Sequence, residues 1–148
     1  MFKKILNKKL LKNQKGLTLI ELLAVIVILA IIAAIAIPAI GNIIDNSRGK
    51  ALKSDVVNVM NAANIYFTDN PESTSVDIAT LISGGYLESE GNLKTATVTY
   101  VAGGNTVEAT GTNKSVSISV AAGSTLKDIN EHDGKPVDKV VTITHKSK

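Results

Sequence analysis

The feature that most constrains this chain is one unbroken apolar stretch, QKGLTLIELLAVIVILAIIAAIAIPAIG, at residues 14–41. The 23 uncharged residues from Leu22 to Ile44 would span roughly 34 Å as a helix, enough to cross the ~30 Å hydrocarbon core of a bilayer. All of the flanking lysines lie before Leu17: Lys3, Lys4, Lys8, Lys9, Lys12 and Lys15. Because positive charge is retained in the cytoplasm, the sequence predicts one membrane-spanning helix with its amino terminus inside.

Composition separates this stretch from the rest of the 148 residues. The net charge of +3 comes from the six leading lysines, whereas the chain from Leu17 onward carries 10 basic and 13 acidic residues. Nucleic-acid binding is therefore not indicated, because it needs clustered basic residues on the folded part. There is no cysteine, which excludes disulfides, thiolate zinc sites and a cysteine nucleophile. No nucleophile elbow or phosphate-binding loop is present, so we expect no enzymatic activity and no cofactor.

A single carboxylate, Glu21, lies near the start of the apolar stretch. An uncleaved signal anchor would have no use for it. A cleaved secretory signal peptide, with Ala34-Ile35-Ala36 as its small-residue triplet, would place Glu21 inside its apolar region. A charge there costs about 2.5–3.5 kcal/mol at a helix centre and less near an end. Both interpretations remain open, but neither explains the acid.

The segment KGLTLIE, which ends at Glu21, resembles the processing signal of type IV prepilins and their pseudopilin relatives. The resemblance implies that a membrane peptidase cuts after Gly16 and methylates the new amino terminus, Leu17. Glu21 then lies four residues beyond that terminus, and Pro38 is in register with a proline that family members commonly carry. Leu17 itself departs from the family, which usually has phenylalanine there.

The resemblance also implies a role for Glu21 in assembly. As a helix, the chain would place Glu21 roughly 6 Å along the axis from the new amino terminus. A buried charge is tolerable when it is paired, and Glu21 could pair within its own chain. The resemblance implies instead that it pairs with the amine of a neighbouring subunit inside a filament. Pro38 and Gly41 are expected to kink the helix and, by resemblance, to let it unwind in the filament.

Beyond the apolar stretch, the pattern predicts an α+β head at residues 45–148. Apolar residues recur at helical intervals up to Phe67, which predicts one long helix over about 17–68 with an amphipathic second half. A loop and a short helix are expected at 71–85, with Thr74 and Asp77 as a capping box. Residues 94–148 alternate Thr or Ser with Val or Ile and predict an antiparallel sheet of three to four strands. The predicted strands are 94–101, 106–110, 115–120 and 138–145, with turns at 103–105, 111–113 and 133–134.

One loop concentrates oxygen ligands, and it is a weak candidate for a metal site. Its members are Asp128, Asn130, Glu131 and Asp133. Secretion pseudopilins carry calcium in a C-terminal loop, but this loop departs from the EF-hand pattern, which needs glycine where Asp133 stands. A turn-forming acidic loop is the alternative. His132 and His145 have no ligand spacing and are expected to be solvated surface residues.

Taken with the resemblance, the sequence predicts a type IV pilus subunit with a leader peptide at 1–16 and a filament-core helix at 17–44. Its expected partners are copies of itself, a prepilin peptidase and methyltransferase, an assembly platform with its ATPase, and membrane lipid before assembly. The lack of cysteine favours a Gram-positive-like pilus. The alternatives are a pseudopilin of a type II secretion or competence system, and a membrane-tethered extracellular binding domain.

Overall fold

The computed structural model describes the backbone of residues 2–146 and the side chains of residues 18–146. It comprises two compact units, Met1–Asn42 and Ile43–Lys148. The helices are α1 (Phe2–Asp69), α2 (Ile78–Ser83) and α3 (Leu126–Glu131). The strands are β1 (Ser75–Asp77), β2 (Leu93–Thr99), β3 (Thr106–Asn113), β4 (Val116–Thr125) and β5 (Val140–Ile143).

Helix α1 is the long helix that the sequence predicts, and it also includes the leader. Its residues are mostly Leu, Ile, Ala and Lys, and the helical backbone continues through Pro38 and Gly41 without a break. It ends where Asn70 precedes a proline, since the residue before proline is driven out of the helical conformation. The backbone N–H and the side-chain amide of Asn70 both donate to the Tyr66 carbonyl, at 2.8 and 3.0 Å. These bonds satisfy a carbonyl that the helix end would otherwise leave open.

The second half of α1 contributes one face to the core of the head. That face is buried at three- and four-residue intervals, as the sequence predicts, by Leu52, Val56, Val59, Met60, Ala63 and Phe67. The inward residues of the strands complete the same cluster, among them Val98, Val107, Ile118 and Val141. Alternate strand residues face solvent, so the sheet has one buried face and one exposed face.

The sheet has five strands in the order β1-β2-β3-β4-β5, where the sequence predicts three or four antiparallel strands. β1 through β4 are antiparallel neighbours, but β5 pairs with β4 in parallel. The parallel pairing arises because α3 lies between β4 and β5 and returns the chain to the same end of the sheet. A strand as short as β1 has too few residues for an alternating pattern to be recognised.

The exposed face of the sheet aligns hydroxyl side chains across four strands. The register pairs Thr95 with Thr110, Thr110 with Ser119, and Ser119 with Thr142. The hydroxyls of Thr95 and Thr110 lie 2.7 Å apart and share a hydrogen bond. Such cross-strand pairs each contribute roughly 0.2–1 kcal/mol, so this polar row helps to fix the register.

Two local predictions need correction. Residues 111–113 were expected to form a turn, but they belong to β3, and the hairpin turn follows at Lys114 and Ser115. Lys114 has a φ of 54°, as tight hairpin turns require. Gly111 instead provides a close approach: an added Cβ would collide with the backbone of Asn92 and Leu93, where the β2–β3 register shifts.

The capping residues also differ from the prediction. The expected box of Thr74 and Asp77 does not cap α2; Asp77 alone is the N-cap and accepts from the Thr80 N–H at 2.9 Å. A capping box does occur at α3, where Thr125 and Asp128 each accept from the other's backbone N–H. Most of the predicted acidic loop is therefore helix α3.

Candidate assembly site

The residues predicted for assembly lie on the first half of α1. The predicted cleavage site, Gly16–Leu17, lies with the leader outside residues 18–146, whose side chains the structure describes. Glu21, Pro38 and Gly41 lie within the described part and are all exposed.

From residue 18 to residue 44, α1 exposes nearly every large aliphatic side chain. Leu19 is 68% exposed and Ile35 is 71% exposed. The helix is long and apolar enough to cross a membrane, and none of its most apolar 18-residue window is buried. Fully burying one such side chain is worth about 1.5–3 kcal/mol, so this surface requires a cover of lipid or of other apolar helices.

Glu21 is the only charged residue between Leu17 and Ile44. Neighbours on both sides are exposed aliphatics, including Ile20 at 65% and Leu22 at 62%. Once lipid or neighbouring helices cover this surface, an unpaired carboxylate becomes costly and a cationic partner becomes favourable. An ammonium group is the simplest such partner, because it is compact and carries several hydrogen-bond donors.

Pro38 and Gly41 both lie on α1 within the first unit. A Cβ added at Gly41 would meet nothing within 4 Å, so no close approach requires glycine there. The proline removes one helical N–H and the glycine lowers helix propensity by about 1 kcal/mol relative to alanine. The pair therefore weakens the helix locally, which is consistent with the predicted role but does not test it.

Three polar side chains, Asp45, Arg48 and Ser115, form a triangle that joins α1 to the turn between β3 and β4. The Arg48 guanidinium donates to Asp45 Oδ1 at 3.0 Å and to Ser115 Oγ at 2.7 Å. Ser115 Oγ in turn donates to Asp45 Oδ1 at 3.0 Å. The sequence gives only one signal for this site, which is that Arg48 is the only arginine in the chain.

Two further contacts join α1 to the C-terminal part of the head. Lys53 Nζ donates to the carbonyl oxygens of Asn130 and His132, at 3.1 and 2.6 Å. A cation at the C-terminal end of α3 complements its dipole and its open carbonyls. Gly49 is buried against the Gly134 carbonyl, and an added Cβ would collide with it. Neither contact could be read from sequence, because each joins segments more than 75 residues apart.

The four predicted metal ligands do not converge in the described structure. Asp128 caps α3 and lies 2.9 Å from His145 Nδ1, while Asp133 Oδ1 accepts from the Lys135 N–H at 2.9 Å. Hydrogen bonds to the Asp128 carboxyl, first from His145 and then from Thr125, hold its pKa well below its usual range. Among residues 18–146, no group of three or more His, Cys, Asp or Glu side chains is placed to hold a metal ion.

The two histidines take structural positions near this helix. His145 is half-exposed and contacts the Asp128 carboxylate. His132 is less exposed than predicted, and its Nδ1 accepts from the Gly134 N–H at 3.0 Å. Both therefore hold the last part of the chain around α3.

A comparison with protein families matches residues 11–37 to the prokaryotic N-terminal methylation motif. The chain thus carries a class III signal consistent with the type IV pilin and prepilin family, and the helix-on-sheet head is a pilin-like α+β fold. No curated protein and no solved structure matches the chain significantly. The match gives no support to the expected Gram-positive type of pilus. The motif is one found in structural proteins that a prepilin peptidase processes, and together with the apolar helix it is consistent with membrane anchoring.

Proposed function

We propose that this chain is the structural subunit of a type IV pilus. The observation that carries the proposal is the single carboxylate of Glu21 in an otherwise aliphatic, exposed helix, five residues past the glycine of the methylation motif. A plain membrane anchor would gain nothing from this acid. A helix that moves from lipid into a filament needs it to compensate a charge.

Processing comes first in the proposed mechanism. The six lysines of the leader hold the precursor with its amino terminus in the cytoplasm. The peptidase cuts after Gly16 and methylates Leu17. Cleavage removes the lysines that kept this end in the cytoplasm and leaves one ammonium group at the start of an apolar helix.

Assembly then follows from the charges. Glu21 pairs with the Leu17 ammonium of a neighbouring subunit, so that both charges are compensated among apolar helices. An assembly platform with its ATPase extracts the helix from the membrane. The aliphatic surface of residues 18–44 becomes the filament core, and the heads form its exterior at the cell surface.

A pseudopilin of a secretion or competence system would use the same processing and the same Glu21 chemistry. It is the nearest alternative, because both the motif and the fold are common to pilins and pseudopilins. The two differ in product: a pilus subunit forms long extracellular filaments, whereas a pseudopilin forms a short structure in the cell envelope. Electron microscopy of cells labelled with antibody against the head distinguishes them.

The test of processing is an intact mass and an N-terminal sequence of the protein from its own cells. We expect a chain that begins at Leu17 and carries one added methyl group. Gly16→Val should leave the full-length chain in the membrane, whereas Gly16→Ala, which keeps a small residue, should still be cut. A wild-type chain that begins at Met1 would make this a tethered domain, and one that begins near Ile37 would make it an ordinary secreted protein.

A further inference from the structure

A groove of about 1000 Å³ opens on the head, and the proposed assembly has no use for it. One side is formed by α1 and the loop between β2 and β3, where Asn64, Tyr100 and Asn105 line it. The other side is formed by α3 and the segment after β5, with Lys127, Glu131 and Lys146. Its volume is at the upper end of the range for small-molecule sites.

Tyr100 gives the groove a fixed aromatic surface. The residue is 53% exposed, although its ring packs edge-on against buried Phe67 with ring centroids 5.6 Å apart. The backbone of Tyr100 is also held, since its N–H donates to the Thr74 carbonyl at 2.8 Å. An exposed ring that is already ordered loses little entropy on binding and offers its apolar surface to a ligand.

Two amides beside Tyr100 are held in place by hydrogen bonds. Asn105 Oδ1 accepts from the Val101 N–H at 3.1 Å, and its Nδ2 donates to Asn64 Oδ1 at 2.7 Å. These bonds fix the loop without using every donor, because each amide nitrogen carries two hydrogens. The groove therefore combines an aromatic surface with preorganised N–H donors.

The charges of the opposite side cancel. Lys127 and Lys146 are balanced by Asp128 and Glu131, and Lys127 lies 3.7 Å from Glu131. A strongly anionic or cationic ligand would meet one unfavourable partner for each favourable one. Carboxylates and ammonium groups together can accept from and donate to hydroxyl groups.

From this geometry we propose that the groove binds a neutral saccharide. A sugar ring has an apolar C–H face that packs on an aromatic ring and hydroxyl groups that act as both donors and acceptors. Tyr100 supplies the stacking surface, the Asn64–Asn105 pair supplies amide donors, and the mixed charges of α3 bind the remaining hydroxyls. The proposal does not depend on pilus assembly, because every residue involved belongs to the head.

The test is binding of the full chain, solubilised in detergent, to immobilised neutral oligosaccharides of the chitin, cellulose, starch and lactosamine series. We expect saturable binding to at least one series. Tyr100→Leu keeps an apolar contact with Phe67 but removes the aromatic surface, and it should weaken binding about tenfold or more. Tyr86→Leu is the matched control, since Tyr86 packs on Tyr66 with centroids 5.3 Å apart and lies outside the groove. It should bind as the unsubstituted chain does.

Three results would overturn the proposal. The first is that no neutral oligosaccharide binds the folded chain. The second is binding that Tyr100→Leu leaves unchanged, provided that tyrosine fluorescence shows both variants to be folded. The third is self-association of the detergent-solubilised chain that requires Tyr100 while no sugar binds, which would assign the groove to a second copy.

Discussion

The two units of this chain place the same residue types in opposite environments. Leu29, in the first unit, is 57% exposed, whereas Leu52, on the same helix but in the second unit, is fully buried. The first unit has no apolar core of its own among the described residues, and the second has one shared by α1 and the sheet. The comparison shows that helical pattern alone does not define stability: one segment needs an external apolar cover and the other contains its own.

Two glycines of α1 show the same difference between the units. Gly41, in the first unit, meets nothing within 4 Å if a Cβ is added, while Gly49, in the second, packs directly against the Gly134 carbonyl. One glycine lowers helix propensity at a position with no close neighbour, and the other permits a close contact. A helix-weakening residue can thus have a functional or a packing reason, and only the surroundings distinguish the two.

The largest expected effect falls on the first unit. Glu21→Ala should leave cleavage after Gly16 intact but strongly reduce assembled filament, because the ammonium of a neighbouring subunit would remain buried and unpaired. Breaking a buried pair in this way costs about 3–5 kcal/mol, which is a hundredfold or more in association at each contact. The loss is measured by shearing filaments from cells and determining what fraction of the processed protein they contain.

Glu21→Gln tests whether the effect is one of charge, since it preserves shape and should fail in the same way. Glu72→Gln removes an exposed loop carboxylate of the head and should assemble normally. Normal filament yield from both Glu21 variants would contradict the proposed role of Glu21 in assembly.

The second prediction compares two leucines directly. Leu52→Ala should lower the free energy of unfolding of the head by about 2–5 kcal/mol, as truncation of a fully buried leucine does. Leu29→Ala should leave it unchanged, because that side chain takes no part in the core. All three tyrosines lie in the second unit, so tyrosine fluorescence during a urea titration of the detergent-solubilised chain reports on the head alone. Equal effects of the two substitutions would contradict the contrast between the units.

A third prediction compares the replacement of each of the two glycines by alanine. Gly49→Ala should destabilise the head by about 1–3 kcal/mol, because the new methyl group must displace the Gly134 carbonyl. Gly41→Ala should instead stabilise the helix locally by about 1 kcal/mol. The same urea titration measures the first effect, and amide hydrogen exchange near residue 41 measures the second. A Gly49→Ala head as stable as the original would mean that the α1 contact with the last loop is loose.

The smallest expected effect is on pH dependence. Hydrogen bonds, first from His145 and then from Thr125, lower the folded-state pKa of Asp128 below its ordinary value of 3.8. A depressed carboxyl pKa adds stability above pH 3.8, and this is lost as the pH falls through the folded value. Asp128→Asn should therefore lower the urea midpoint at pH 6, and the difference from wild type should shrink below pH 3.8. A difference that stays constant with pH would point to lost capping geometry and not to charge.

The parts of this fold that the sequence predicts are those with a local signal. The apolar stretch, the buried face up to Phe67 and the alternation in β2 to β4 each repeat within a few residues, and the structure confirms them. The methylation motif is equally local. Glu21 could be recognised because its position is fixed by the neighbouring Gly16 and not by distant contacts.

The features of the fold that could not be predicted from the sequence depend on pairing between distant segments. β1 has three residues and gains its identity from β2, which follows much later in the chain. The parallel alignment of β5 depends on how α3 reverses the chain. The sequence predicts an acidic loop where α3 lies, so it does not reveal Thr125 as the N-cap of that helix. Arg48, Lys53 and Gly49 have roles that only their distant partners reveal.

The triangle of Asp45, Arg48 and Ser115 has a mechanical consequence. Tension applied to the chain from the amino-terminal side enters the head at residue 43, and this triangle is the first cross-link that it meets. The load would pass through Arg48 to the turn between β3 and β4, and so into the middle of the sheet and not to an edge strand. A strand held on both sides must lose its hydrogen bonds to two neighbours to come free. Tension along the first half of α1 would therefore reach the interior of the sheet before an edge strand.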